Sequence, residues 1–87
     1  WGFAVSLQDV APGRPNVVAR IGPSGVRPPV LNGHLDVVGV DGMTHDPWDG
    51  TEHDGLLHGR GSSDMKGGLA AMCVAAARAA QRGTLSC

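Results

Sequence analysis

His34 and Asp36 stand two residues apart in the run Asn32-Gly33-His34-Leu35-Asp36-Val37-Val38. On an extended segment, residues i and i+2 point to the same face, so the imidazole and the carboxylate leave the backbone together. A neutral imidazole is a good zinc ligand, and a neighbouring carboxylate can fix its tautomer and raise its basicity. The competing reading is a histidine and an aspartate satisfied by backbone groups at a strand end. A second polar run follows, Gly59-Arg60-Gly61-Ser62-Ser63-Asp64-Met65-Lys66-Gly67-Gly68. Asp64 can cap a helix, accepting a backbone N–H and facing the positive end of the dipole. With two oxygens it can equally bridge two cations about 3.5–4 Å apart. Gly67 and Gly68 would each weaken a helix by roughly 1 kcal/mol relative to Ala. Such a cost points to backbone that must approach something closely.

The elements around these residues follow from local pattern. Val30 to Val38 is apolar except at Asn32, His34 and Asp36, which predicts a strand buried on both faces. Its polar end lies where open α/β sheets place their ligands. Asn16 to Ile21, bounded by Pro15 and Gly22, reads as an earlier strand. Residues 1–12 take no assignment. Gly22 to Gly25 is turn chemistry, and Gly39 to Gly55 reads as loop. Leu56-Leu57-His58 is a short strand at most. Met65 to Arg82 has helical periodicity, with Leu69, Met72, Cys73, Ala76 and Ala80 as its apolar stripe. Asp64 stands at its N-cap position and Gly83 where a C-terminal glycine belongs. Thr84 to Cys87 resembles the opening of another strand. Strand, strand, helix, strand argues an α/β fold.

Composition narrows the partners. A net charge of −1 gives no electrostatic reason to expect nucleic acid or an anionic membrane. The longest apolar stretch, Leu69 to Ala77, is flanked by Lys66 and Arg78, far short of the ~20 residues that span a bilayer. Eighty-seven residues make one domain at most, burying roughly 60–65 % of the unfolded surface. The start at Trp1 inside a structured stretch predicts an internal fragment. Cys73 and Cys87 match neither a zinc-ribbon nor a redox spacing. Read as reduced thiols, they favour the cytoplasm.

In this order, and joined by Asp46-Pro47-Trp48 and Asp54-Gly55-Leu56, the two runs resemble the zinc-dependent amidohydrolases and peptidases. That family includes acetylornithine deacetylase, succinyl-diaminopimelate desuccinylase, aminoacylase and carboxypeptidase G. His34-Leu-Asp36 is similar to its His-x-Asp strand end. Gly59 to Gly68 is similar to its Gly-Arg-Gly-x-x-Asp-Met-Lys-Gly-Gly signature at every specified position. The resemblance covers Asn16 to Cys87. It implies that His34 binds one zinc, that Asp64 bridges both, and that Asp36 is a catalytic residue orienting His34. Co2+ or Mn2+ could replace Zn2+. It implies amide hydrolysis of N-acyl amino acids or small peptides by a mixed sheet flanked by helices. Residues 1–87 would then be part of that catalytic domain, without the family's second, smaller domain.

The resemblance also shows departures. The family places a Glu-Glu pair, general base and metal ligand, a few dozen residues after the bridging aspartate. This chain has one glutamate, Glu52, on the other side of Asp64. The later acidic ligand and the final histidine are missing too. The 87 residues alone are therefore expected to be inert, and a non-catalytic remnant or scaffold piece is the competing class. His58 reads as structural, His45 and His53 as solvated. Ser63-Asp64-Met65-Lys66 formally fits S-x-x-K, but no S-D-N or K-T-G follows. Gly59-x-Gly61 lacks the third glycine of a dinucleotide loop.

Overall fold

The computed structural model describes residues 1–25 and 27–85. They fall into two compact units, residues 1–29 with 74–87, and residues 30–73.

The first unit contains an antiparallel hairpin of β1 (Ala4–Ala11) and β2 (Arg14–Arg20), with Ala4 opposite Arg20 and Leu7 opposite Val17. Pro12 presets φ for the turn, and Gly13, at φ +70, supplies the left-handed residue that follows. A register shift between Asp9 and Ala11 marks a bulge beside the turn. β2 thus begins ahead of the expected Asn16 and takes in Pro15, which a two-stranded ribbon tolerates on its unpaired edge. Residues 1–12, unassigned from the sequence, do alternate at Val5-Ser6-Leu7-Gln8, but Asp9-Val10-Ala11 breaks the pattern. Pro12-Gly13 is the signal that marks the hairpin.

In the second unit β3 (Glu52–His53) pairs with β4 (Leu56–Leu57). Asp54 and Gly55 between them both have positive φ, 52° and 74°, as a two-residue type I′ turn requires. The expected loop therefore closes on a small hairpin, which Asp54-Gly55 encodes.

The predicted strand Val30 to Val38 is not formed: among the described residues none pairs with it. Val30 is 84 % exposed and Val38 74 %. An extended run becomes a sheet strand only by hydrogen bonding to a neighbour, and a two-faced apolar one needs a layer on each side. The described residues supply neither. The coarse α/β class stands, with strands and a helix in one chain.

The long helix is α1 (Gly67–Gln81). It starts after the expected Met65 because Ser62 to Lys66 form a wider turn, in which Lys66 N–H donates to Gly61 O and Gly67 N–H to Ser62 O. Asp64 lies inside that turn with φ −117 and ψ 98, and no side-chain cap bond is made. The N-cap reading of Asp64 is thereby overturned. At the other end Gly83 is at φ +66. Its N–H donates to Ala80 O, and that of Thr84 to Ala79 O, a Schellman closure. Thr84 Oγ1 also donates to Ala79 O. Thr84 and Leu85 consequently finish the helix and form no strand; Ser86 and Cys87 lie outside the described residues. Cys73 is exposed rather than on a covered stripe. Ala77 is the buried apolar residue of the described part of the chain. No helix among the described residues is long and apolar enough to cross a membrane.

Candidate metal centre

The unpaired segment 32–38 and the wide turn 61–66 come together within the second unit. Gly33 permits the approach: a Cβ there would sit 2.6 Å from Leu69 Cδ2 and 3.0 Å from Met65 Cε. Gly61 does the same from the other side, since its Cβ would meet Val37 Cγ1 at 2.6 Å and Lys66 Nζ at 2.9 Å. Gly67 has Ser62 O 2.8 Å from its would-be Cβ, whereas Gly68 meets only Met65 Cε at 3.8 Å. The expectation of close backbone approach thus holds for Gly67 and not for Gly68. The loop joins in through Pro47 O, which accepts the Arg60 N–H at 2.7 Å. Asp46 Oδ1 holds Pro47 in its turn by accepting the Trp48 N–H.

The packing leaves a cleft of about 220 Å³ whose lining includes His34, Asp36, Arg60, Ser63 and Asp64. His34 Nδ1 is 3.0 Å from the backbone oxygen of Asp36. A carbonyl can only accept, so Nδ1 carries a proton and donates it. The Asp36 carboxylate lies further off, with Oδ1 at 3.5 Å from Nδ1. On the other side of the ring, His34 Nε2 is 3.2 Å from Asp64 Oδ1. In neutral imidazole that Nε2 is a bare lone pair facing a carboxylate, two acceptors with nothing between them. A proton or a cation must stand there. The protein alone favours the proton there: the His34 pKa is raised above its ordinary 6.5, first by the Asp36 carbonyl, with desolvation opposing it next, and then by the charges of Asp36 and Asp64 and the hydrogen bond to Asp64.

The donor set also fits a zinc ion. Two ligands held about 2.0–2.2 Å from one tetrahedral ion lie roughly 3.3 Å apart, close to the separation of Nε2 and Oδ1. The fit is partial, because among the described residues no group of three or more His, Cys, Asp or Glu side chains is arranged to hold a metal.

Sequence reasoning missed Arg60, whose Nε is buried without a hydrogen-bond partner among the described residues, and Lys66, which donates to Leu35 O at 2.8 Å. Arg60 offered no signal beyond its place in the glycine run. The other histidines stay apart from the cleft. His45 and His58 pack edge to face at 5.0 Å, and His53 Nδ1 lies 3.2 Å from Asp54 Oδ2.

Residues 30–86 match the model of peptidase family M20/M25/M40. The chain belongs to this family. It is 42 % identical over 80 residues to an N-formyl-4-amino-5-aminomethyl-2-methylpyrimidine deformylase of Bacillus subtilis, covering 85 % of the chain and 19 % of that relative. It is 46 % identical over 80 residues to a succinyl-diaminopimelate desuccinylase of Methylobacterium radiotolerans, covering 85 % and 20 %. With a probable succinyl-diaminopimelate desuccinylase of Staphylococcus epidermidis it shares 49 % identity over 65 residues, 71 % of the chain and 16 % of the relative. The chain thus spans about a fifth of the length of the curated relatives it matches. No solved structure matches it significantly.

Proposed function

We propose that the full-length protein carrying these residues is a metal-dependent hydrolase of amide bonds in N-acyl amino acids or small peptides. The observation that carries this is the pairing of His34 Nε2 with Asp64 Oδ1 at 3.2 Å while Nδ1 is engaged by Asp36. Membership in a peptidase family supports it, as do relatives named as a deformylase and desuccinylases. Both names describe removal of an acyl group.

In this reading residues 1–87 are part of the catalytic domain and contribute one wall of a two-zinc centre. His34, through Nε2, would hold one ion. Asp64, on the wide turn, would help to hold both through its carboxylate. Asp36 orients the imidazole, its carbonyl receiving the Nδ1 proton so that Nε2 is the lone-pair nitrogen. When bound, the metal pair would polarise the amide carbonyl and lower the pKa of a water toward neutrality. The general base and the remaining ligands come from outside these residues, since Glu52 lies on β3, away from the cleft. The smaller domain, the mixed sheet and a cytoplasmic location belong to the same reading. The substrate is a small molecule, with neither nucleic acid nor membrane as partner.

The test is hydrolysis of N-acetyl-, N-formyl- and N-succinyl-amino acids by the full-length protein with Zn2+ or Co2+. Metal-dependent turnover abolished by His34→Ala supports the proposal. Metal-independent turnover would contradict the metal-dependent reading, and no turnover with any acyl group favours a remnant without catalysis. The 87 residues alone should show no turnover, and zinc-dependent activity in them would mean that the site works without a general base from outside these residues.

A further inference from the structure

Lys66 joins the two segments that carry the candidate ligands. Its side chain crosses from the wide turn to the segment 32–38, where Nζ donates to Leu35 O at 2.8 Å. Leu35 is the residue between His34 and Asp36. The backbone of Lys66 is itself tied into the turn holding Asp64, through Lys66 N–H to Gly61 O at 2.9 Å. One residue is thus anchored to both halves of the centre. An ammonium–carbonyl bond is charge-assisted, stronger than a neutral pair. Capturing Leu35 O fixes the peptide leading into Asp36, whose own carbonyl receives the His34 Nδ1 proton. Room for the bridge exists because residue 61 is glycine: a Cβ there would be 2.9 Å from Nζ. Segment 32–38 lacks a strand partner among the described residues, so few other polar bonds hold it in register with the turn.

We propose that Lys66 is a positioning residue, a strut that sets the separation of His34 and Asp64 and so preorganises the metal centre. The proposal rests on the metal-dependent reading given above. Its test uses the full-length protein with Lys66→Met, similar in length but without donors, and Lys66→Arg, which keeps charge and donors. Two quantities are read. One is Co2+ affinity by competition with a chromophoric chelator, together with the visible Co2+ spectrum. The other, in metal-free protein, is the nuclear Overhauser contact between the Val37 methyl and the Gly61 Hα, groups brought together in the structure.

Lys66→Met should bind Co2+ about 10–100-fold more weakly, in the range seen when groups supporting a ligand are removed. It should show an altered spectrum and lose the contact, and Lys66→Arg should recover most of both. Wild-type affinity, spectrum and contact in Lys66→Met would overturn the strut. A wild-type protein that binds no Co2+, yet loses the Val37–Gly61 contact in Lys66→Met alone, would leave the strut standing and count against the metal reading instead. Should Lys66→Met fail to fold, Lys66→Gln is read by the same two measurements.

Discussion

His34 Nε2 and Asp64 Oδ1 lie 3.2 Å apart, although one sits in an unpaired segment and the other in a wide turn ahead of a helix. Both side chains are substantially exposed, His34 at 46 % and Asp64 at 85 %. Neither is placed by burial. Backbone approach at glycine and a few directed hydrogen bonds place them.

Removal of Asp64 should cost more metal than removal of Asp36. A bridging carboxylate touches both ions, whereas Asp36 reaches His34 mainly through a backbone carbonyl that Asp36→Ala retains. Loss of an orienting group typically costs about 10–100-fold in affinity or activity, and Asp36→Ala should fall at or below the lower end. Metal content after dialysis of the full-length variants gives the comparison. Two zincs retained by Asp64→Ala and lost by Asp36→Ala would reverse the assigned roles.

The metal-free protein should hold the His34 proton more tightly than an isolated histidine does. Its pKa is raised from 6.5, so the imidazolium stabilises the folded state fully below 6.5. That contribution fades as pH rises through the raised folded value. Metal ligation has the opposite sign, because it needs Nε2 unprotonated, and should weaken as pH falls through the same value. An NMR titration of the His34 ring should give a midpoint above 6.5 that drops in Asp64→Asn. A midpoint at or below 6.5 in the wild type would contradict the geometry.

Two adjacent glycines should respond in opposite directions to alanine. Gly68→Ala meets nothing closer than Met65 Cε at 3.8 Å and should stabilise the helix by up to about 1 kcal/mol. Gly67→Ala puts a Cβ 2.8 Å from the Ser62 carbonyl oxygen, a backbone atom of the turn that carries Asp64. It should destabilise despite the better helix propensity. Urea denaturation of both variants in the full-length protein is the check, and equal gains at both positions would show that the turn yields freely.

How much of this was legible in the sequence differs from residue to residue. The helix, its terminal glycine and the pairing of His34 with Asp36 follow from local spacing, which the chain itself enforces. Asp64 was harder. Helix-cap chemistry and metal chemistry want the same residue type there, and only the wide turn, set by Lys66 and Gly67 bonding back to Gly61 and Ser62, separates them. Val30 to Val38 failed as a strand because pattern reports what a segment could bury, while pairing depends on neighbours outside it. Nothing in the spacing of Lys66 announces its bond to Leu35 O.

Expressed alone, the 87 residues should be poorly stable. Val30, Leu31, Leu35, Val38, Trp48, Leu56 and Leu57 are each at least 60 % exposed, and among the described residues the outer edges of β1 and β2 have no strand partner. Exposed apolar surface and open strand edges favour association. Aggregation, or a partly helical state without cooperative unfolding, is the expected outcome. Denaturation followed by circular dichroism and tryptophan fluorescence would decide. A coincident, cooperative transition of a monomer would show that these residues suffice for a stable domain.

The most direct test of the central claim is anomalous diffraction from crystals of the full-length protein grown with zinc. A zinc peak is expected about 2.0–2.2 Å from both His34 Nε2 and an Asp64 oxygen, with the other Asp64 oxygen on a second peak about 3.5–4 Å away. His34 Nδ1 should still donate to the Asp36 carbonyl. Zinc bound elsewhere in the protein, with His34 and Asp64 left paired only to each other, would contradict it.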